Sequence, residues 1–157
     1  MSKIIIEIPE FWTHCNKSAN KYQKINNQGI YSGSIHRFTR AKIVDDLHKY
    51  LTSYMIPYVG HNITVVKQIT YKIYTVKNHG SISMRSGKLC WKPVTKSYKA
   101  SWDIENLASL WIKVGNDTLV LNGIIIDDNV DVLKKISYEF IEVQDITNRK
   151  IEIIIDY

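Results

Sequence analysis

Four acidic residues in the last third of the chain have the types and spacing of a site for a divalent cation. Asp103 and Glu105 lie two positions apart, and Asp127 and Asp128 directly follow three isoleucines. Carboxylate oxygens are ligands that Mg²⁺ prefers, and the ion keeps several waters that can serve as nucleophiles. For each pair alone, a helix cap or a polar turn is the more common role. The four residues predict a magnesium site if the fold brings both pairs to one cavity.

The intervening helix decides whether the two acidic pairs can meet. Inside one α-helix, the side chains of Asp103 and Glu105 would point about 200° apart, since each residue turns the helix by about 100°. They converge if the helix begins just after Asp103, with Glu105 in its first turn. A reversal at Gly123 would then return Asp127 and Asp128 toward the helix start. The sequence therefore predicts a helix that begins after Asp103 and ends before Gly123.

Charge is unevenly distributed along the chain, whose net charge is +6. Residues 1–100 hold 16 Lys and Arg against 4 Asp and Glu, whereas residues 101–157 hold 5 against 11. Basic side chains attract a phosphodiester backbone, and gathered carboxylates hold a hard cation. The distribution favours an enzyme that acts on nucleic acid. A fold that mixes the two halves in space is the alternative.

The segment 77–99 is the most DNA-like part of the chain. It contains six basic residues and no acidic one, interleaved with Trp91 and Tyr98. Basic residues neutralise phosphates, and flat rings stack on exposed bases. A solvated hairpin with Trp91 in the core is an equally good interpretation. With one lysine of the N-terminal loop, the predicted DNA-binding residues are Lys21, Arg85, Lys88, Lys92, Lys96 and Lys99.

Periodic apolar residues predict the elements that precede the acidic pairs. Residues 3–8 predict an opening strand, and the polar stretch 16–34 predicts a loop. Residues 39–54 carry apolar side chains at helical spacing until Pro57, so they predict an amphipathic helix that packs on a sheet. Alternation over residues 63–76 predicts a long strand or a strand pair.

The second half of the chain predicts one more helix and a terminal hairpin. Apolar spacing over residues 101–122 predicts a helix that is ended or interrupted near Gly115-Asn116. Residues 132–143 and 150–155 predict two strands that pair as an antiparallel hairpin.

These elements together predict one α+β domain over residues 1–157, with two main helices packed on a mixed β-sheet. A hydrophobic content of 45% is enough for one core. The sequence contains no apolar window of transmembrane length, so we expect a soluble, cytoplasmic protein. Cys15 and Cys90 have no CxxC partner, which favours reduced structural thiols over a zinc site.

The residues between Asp103 and Asp128 resemble the core signature of the RusA family of Holliday-junction resolvases of bacteria and phages. That signature is Asp-x-Asp-Asn-Leu-x-Lys, then Asp-x-Leu, then Gly and Asp-Asp. An early strand that ends in a proline, an asparagine-rich N-terminal loop and a basic segment before the motif agree with it. The matching residues are Asp103, Asn106, Leu107, Asp117, Leu119, Gly123, Asp127 and Asp128.

The resemblance implies a RusA-like homodimer, a magnesium-dependent crossover junction endodeoxyribonuclease. Such an enzyme resolves four-way DNA junctions by phosphodiester hydrolysis, with paired nicks in two opposed strands. Asp103, Glu105 and Asp128 stand in the positions of the essential carboxylates, and Asp127 is a supporting neighbour and further candidate ligand. The implied cofactor is Mg²⁺, with Mn²⁺ as a substitute, and the implied partner is branched DNA rather than a membrane.

The chain departs from the family pattern at two positions. Glu105 replaces the usual aspartate, and Ser109 stands where the pattern has a lysine. The stretch up to Asp117 is four residues longer than usual, which adds about one helical turn. Lys113, four residues before Asp117, therefore matches the family lysine when the motif is aligned from that side. We expect Lys113 to stabilise charge at the phosphate, while an ordinary exposed helix lysine is an equally good interpretation.

Two other functions stay open at the level of the sequence. One is a DNA-binding or protein-binding module on a RusA-like scaffold that has lost catalysis, which the departures at Glu105 and Ser109 favour. The other is a nuclease with a broader preference for branched or flapped DNA. A test of cleavage separates the first from the enzyme, and a comparison of DNA shapes separates the second.

Overall fold

Isoleucine-rich segments form the centre of a four-stranded sheet. The structure, a computed structural model, describes residues 1–9, 13–16, 21–23, 37–77, 81–85, 88–92 and 104–157. Its strands are β1 Lys3–Pro9, β2 Thr13–Asn16, β3 Lys21–Gln23, β4 Gln68–Thr75, β5 Ser81–Arg85, β6 Lys88–Lys92, β7 Ile136–Glu142 and β8 Lys150–Asp156. Its α-helices are α1 Arg37–Met55 and α2 Ile104–Leu121, and short 3-10 turns span Ile56–Tyr58 and Ile146–Asn148.

The main sheet is mixed, with strand order β1-β8-β4-β7. β8 is antiparallel to both of its neighbours, and β7 is parallel to β4. Because side chains alternate between the faces of a strand, one face collects a buried apolar layer. The residues that β1, β4 and β8 contribute to this layer are Ile4, Ile6, Ile8, Ile69, Tyr71, Ile73, Ile151, Ile153 and Ile155. This layer and the helices that cover it confirm the predicted α+β fold with a mixed sheet.

The other face of this sheet carries charged side chains in register. Glu7, Glu152, Lys72 and Glu139 lie opposite one another across the four strands. Lys150 pairs with Glu152 at 2.7 Å and with Glu7 at 3.6 Å, and Lys72 pairs with Glu139 at 3.9 Å. Burial raises the pKa of Glu152, but hydrogen bonds from Lys150 and Tyr74 outweigh it and leave that pKa below its usual value.

The terminal antiparallel hairpin predicted from the sequence is wrong. β4 lies between β7 and β8, so the last two strands are not neighbours. The physical reason lies in their side chains. β8 buries four isoleucines and needs a strand on each side, whereas β7 is half exposed and suits an edge.

The first helix confirms the prediction for residues 39–54 and extends it at both ends. In α1, Ile43, Leu47, Leu51 and Met55 are buried at a spacing of four residues, which places them along one face. Pro57 follows in the 3-10 turn, because proline cannot continue the α-helical hydrogen bonding.

The predicted break of the second helix at Gly115 is also wrong, since α2 is continuous from Ile104 to Leu121. A Cβ atom at Gly115 would lie 2.5 Å from the Tyr71 hydroxyl oxygen. The glycine therefore serves close packing of the helix on the sheet, rather than helix termination. The described part of the helix begins at Ile104, and the prediction that the helix starts after Asp103 falls on a residue outside the described ranges.

Four further strands form a second, antiparallel sheet in the order β2-β3-β5-β6. β2 and β3 include residues from the stretch 16–34, which was predicted to be a loop throughout. β5 and β6 form the hairpin that was one interpretation of the basic segment. The predicted strand over residues 63–76 is shorter, since only Gln68–Thr75 belongs to a strand and Ile63 and Val66 form isolated bridges. Within the ranges that the structure describes, no helix is long and apolar enough to cross a bilayer.

Candidate functional site

The chain reverses direction at Gly123, directly after α2. The Gly123 N–H donates to the Val120 carbonyl at 2.9 Å, and the Ile124 N–H donates to the Leu119 carbonyl at 2.9 Å. These two bonds are the Schellman arrangement that closes many helices. It needs a residue with a left-handed backbone, and Gly123 has a φ of +61°. The predicted reversal at Gly123 is thus confirmed.

The isoleucines that follow anchor the segment leading to the acidic residues. Ile124 and Ile125 are fully buried. The Ile63 N–H donates to the Ile124 carbonyl at 2.9 Å, and the Ile126 N–H returns a bond to the Ile63 carbonyl at 3.1 Å. The burial ends at Ile126, which is 48% exposed. Asp127 therefore stands where an anchored segment emerges from the core.

The two adjacent aspartates have different surroundings. Asp127 Oδ1 accepts the backbone N–H of Asp128 at 2.7 Å, and its Oδ2 accepts the side-chain amide of Asn129 at 2.6 Å. Both oxygens of Asp127 are thus engaged. Asp128 is exposed, and within the described part of the chain no hydrogen bond or ion pair engages its carboxylate. Asp128 is the better placed of the two to take an external ligand, and Asp127 shapes the turn.

Side-chain hydrogen bonds fix the loop after this acidic pair. Asn129 Oδ1 accepts the backbone N–H groups of Asp131 at 2.9 Å and Val132 at 3.3 Å. Lys134 Nζ donates to the carbonyls of Val130 at 3.0 Å and Asp131 at 2.6 Å. Val132 and Leu133 are buried, so both ends of the loop are held by the core. The acidic pair thus lies on an ordered loop, which is what a preorganised ligand requires.

Tyr71 of β4 joins the sheet to α2. Its side chain is fully buried, and its hydroxyl donates to Asn116 Oδ1 at 2.6 Å. Burial raises the pKa of Tyr71 far above its ordinary value, and the charges of Asp128 and Asp117 raise it further.

Lys113 lies one turn before Asp117 on α2, and its Nζ is 3.7 Å from Asp117 Oδ2. The lysine side chain is 65% exposed and the aspartate side chain 42% exposed, so the pair is weak and rearranges easily. Ser109, one turn earlier, has a buried hydroxyl that finds no hydrogen-bond partner among the described residues. Position 109 is thus an unsuitable site for a solvent-facing lysine, whereas Lys113 is free to approach a ligand.

The other predicted metal ligands are only partly described. Glu105 lies in the first turn of α2 and is exposed, as the predicted site requires. Asp103 lies outside the described residues. Within the described ranges, no group of three or more His, Cys, Asp or Glu side chains is close enough to hold a metal ion. A convergence of Asp103, Glu105 and Asp128 therefore stays a prediction.

Four of the six predicted DNA-binding residues belong to the second sheet. Lys21 pairs with Ser83, Arg85 pairs with Lys88, and Ser81 pairs with Lys92. Since positions that pair directly share a face, the register puts all four basic positions on one face. Ile82, Met84, Leu89 and Trp91 occupy the opposite face. Lys96 and Lys99 lie outside the described residues.

In comparisons with known proteins, no family model and no curated protein matches this chain.

Sequence reasoning missed the supporting role of Tyr71 and Asn116. Tyr71 lies in the alternating segment 63–76, which predicts a strand but gives no separate signal for its hydroxyl. Asn116 was interpreted as part of a helix break. A glycine next to an asparagine in the middle of an otherwise apolar helix was the available signal, because such a pair allows a large polar side chain to approach.

Proposed function

We propose that this protein is a magnesium-dependent endonuclease that resolves four-way DNA junctions, with paired nicks from a homodimer. The observation that carries the proposal is the exposed Asp128 carboxylate on an ordered loop, with the neighbouring Asp127 turned to holding that loop. The motif resemblance to the RusA family supports the same assignment, because it selects Asp128 as an essential carboxylate.

The proposed ligands of the ion are Asp103, Glu105 and Asp128, with Asp127 as a supporting neighbour. Their chemistry fits Mg²⁺, since carboxylates are hard oxygen ligands and the described members are exposed to solvent. When bound, Mg²⁺ supplies an activated water and polarises the phosphodiester. Mn²⁺ is expected to substitute, because it accepts the same type of ligand.

The residues around Asp128 have separate proposed roles. Asp127 and Asn129 hold the loop, so that the Asp128 carboxylate keeps its direction when DNA arrives. Lys113 can leave its weak contact with Asp117 and place a positive charge beside a phosphate. The hydrogen bond between Tyr71 and Asn116 fixes the position of α2 relative to the sheet.

The second sheet is the proposed DNA surface. A sheet with basic positions on one face and apolar positions on the other can pack its apolar face against the protein. Its basic face then stays available to bind a phosphate backbone. Lys21, Arg85, Lys88 and Lys92 share the basic face by register, and Lys96 and Lys99 are proposed to extend it.

The proposal is tested by cleavage of labelled DNA of defined shape. Four-way junctions, forks and linear duplex are incubated with the protein in Mg²⁺ and in EDTA, beside an Asp103→Asn variant. We expect symmetric nicks in the junction, which need Mg²⁺ and are lost in the variant. Nicks in forks at equal rates would instead indicate a broader nuclease.

Binding of DNA without cleavage in either Mg²⁺ or Mn²⁺ would contradict the enzyme. That result would favour the alternative function, a DNA-binding or protein-binding module that has lost catalysis on a RusA-like scaffold. The replacement of aspartate by Glu105 is the sequence feature that this outcome would explain, because an extra methylene shifts the carboxylate.

A further inference from the structure

The two edges of the main sheet differ in how well their backbone groups are satisfied. An edge strand exposes a row of N–H and C=O groups that can pair with another strand, and proteins usually block such edges. β1 is one edge of this sheet and β7 is the other. Other parts of the chain form hydrogen bonds to the outer backbone groups of β1, whereas no described strand pairs with those of β7.

The β1 edge is blocked. Its outward carbonyl at Ile5 accepts a hydrogen bond from the Tyr58 hydroxyl at 3.3 Å, and the carbonyl of Pro9 accepts one from the Tyr50 hydroxyl. Pro9 has no N–H, so it removes a donor from the same row. A further strand could not add to β1 without displacing these bonds.

The β7 edge is open as far as the described residues are concerned. The Ile69 N–H donates to the Lys135 carbonyl at 2.9 Å, and the Val143 N–H donates to the Thr75 carbonyl at 3.0 Å. Odd-numbered residues of β7 therefore bond to β4, and the even-numbered ones direct their backbone groups outward. Those residues are Ile136, Tyr138, Phe140 and Glu142. Within the part of the chain that the structure describes, no strand pairs with them.

The side chains beside this open edge are apolar in the middle and oppositely charged at the two ends. Ile136 is 40% exposed and Tyr138 is 37% exposed, although both lie on the side of the sheet that is elsewhere covered by helices. Lys134 and Lys135 precede the strand, and Glu142 ends it. A strand with basic residues at its start and an acidic residue at its end complements an antiparallel copy of itself and repels a parallel one.

We propose that β7 pairs with β7 of a second copy of this chain, in an antiparallel register with the two-fold axis at Tyr138. This register places Tyr138 opposite Tyr138 of the partner subunit and Ile136 opposite Phe140 of the partner subunit. It brings the lysines at each end close to Glu142 of the partner subunit. A register centred on Glu139 would instead oppose two like charges.

The pairing would join two four-stranded sheets into one continuous sheet and give an isologous dimer. Because the Asp128 loop leads directly into β7, the two loops would lie at opposite ends of the paired strands. This arrangement suits two nicks in opposed strands of a junction. The pairing itself does not depend on the nuclease chemistry, and its test measures association rather than cleavage.

The first test is sedimentation equilibrium of the full chain and of two variants matched in chemistry. Tyr138→Lys puts like charges at the two-fold axis, whereas Ile5→Lys adds the same charge at an exposed residue of the blocked edge. We expect the parent and Ile5→Lys to be dimers of an 18.3 kDa chain. Tyr138→Lys should associate at least about tenfold more weakly, a loss of about 1.4 kcal/mol. Near-ultraviolet circular dichroism checks that each variant is folded.

The second test is a disulfide across the axis. Directly paired residues of antiparallel strands have Cα atoms about 5.5 Å apart, within the range that a disulfide spans. Tyr138→Cys should form a covalent dimer on oxidation, with the linkage mapped by mass spectrometry to position 138 in both subunits. Glu139→Cys, which faces Ser137 of the partner subunit, should not. A monomeric parent, an unchanged Tyr138→Lys dimer, or a cross-link at 139 rather than 138 would overturn the proposed interface.

Discussion

One face of the main sheet is rich in buried isoleucine, whereas the loop 127–134 carries the acidic pair. The two regions have different roles in the protein. On the sheet face, Ile69, Ile73 and Ile153 are almost completely buried and pack against apolar neighbours. In the loop, Asp128 is exposed, and hydrogen bonds of neighbouring polar side chains hold it in place. The first region lowers the free energy of the fold, and the second presents a carboxylate that the fold does not use.

This contrast separates the residues that should matter for stability from those that should matter for chemistry. A buried residue in contact with many others contributes to folding and has no access to a ligand. An exposed carboxylate without a partner contributes little to folding, so its removal should leave stability unchanged. Tyr71 lies at the boundary, since it is buried and yet acts electrostatically with Asp117 and Asp128. Mutations of buried residues, of exposed residues near Asp128 and of Tyr71 therefore test this separation.

The largest effect is expected at Asp128. Asp128→Asn removes a ligand charge, so we expect single-turnover cleavage of a four-way junction to fall by about 1,000-fold, or about 4 kcal/mol. Asp127→Asn, the matched control, changes a supporting contact and should cost about tenfold. Thermal unfolding of Asp128→Asn should match that of the parent. Equal losses in the two variants would remove the distinction between a ligand and a supporting neighbour.

The next largest effect is expected at Gly115, where helix α2 packs closely against the main sheet. Gly115→Ala places a Cβ against the Tyr71 ring, and we expect the free energy of unfolding to fall by about 1–3 kcal/mol despite a better helix former. Ser109→Ala on the same helix is the control, and it should be neutral because no described residue is a hydrogen-bond partner of the serine hydroxyl. Urea unfolding followed by circular dichroism measures both. A stabilising Gly115→Ala would show that Tyr71 moves away at no cost.

A smaller effect is expected at Lys113, on the chemical side. Lys113→Ala should lower junction cleavage by about tenfold through loss of charge near the phosphate, with little change in stability. Lys42→Ala on α1 is the matched control, since Lys42 also forms an exposed ion pair with a residue four positions later. Activity of Lys113→Ala within a few fold of the parent would remove Lys113 from the mechanism.

The smallest effect is expected at Tyr71, which is buried and is linked to Asp117 and Asp128 only through their charges. Tyr71→Phe leaves Asn116 Oδ1 without its donor and should cost about 1 kcal/mol at neutral pH. Because the pKa of Tyr71 is raised in the fold, the folded state retains a proton that the unfolded chain releases above about pH 10. The parent should therefore lose stability as the pH rises through that range. Tyr71→Phe should lose less stability over that range, and equal losses in the variant and the parent would contradict this role of Tyr71.

Much of the fold could be predicted because the signals are local. Alternating isoleucines give β1, helical spacing gives α1, and a glycine with left-handed backbone gives the turn at Gly123. The neighbours of β7 and β8 could not be predicted, because pairing partners are chosen by burial on both sides of a strand. The role of Gly115 likewise depends on Tyr71, which is distant in sequence.

The candidate site was predictable in part for the same reason. The reversal after α2 follows from Gly123, but the choice of Asp128 over Asp127 came from a motif resemblance. The structure adds a physical basis, since Asp127 is engaged by its neighbours and Asp128 is exposed. Hydrogen bonds from Asn129 to the loop backbone depend on a turn geometry that side-chain periodicity does not encode.

The most direct measurement is a titration of the protein with Mn²⁺ in the absence of DNA. Electron paramagnetic resonance measures the concentration of the free ion. If Asp128 is a ligand of the site, the parent binds Mn²⁺ in competition with Mg²⁺. The Asp128→Asn variant should then bind at least about tenfold more weakly, while Asp127→Asn stays closer to the parent. Absence of Mn²⁺ binding to the parent, or equal binding by the parent and Asp128→Asn, would contradict a metal site at Asp128.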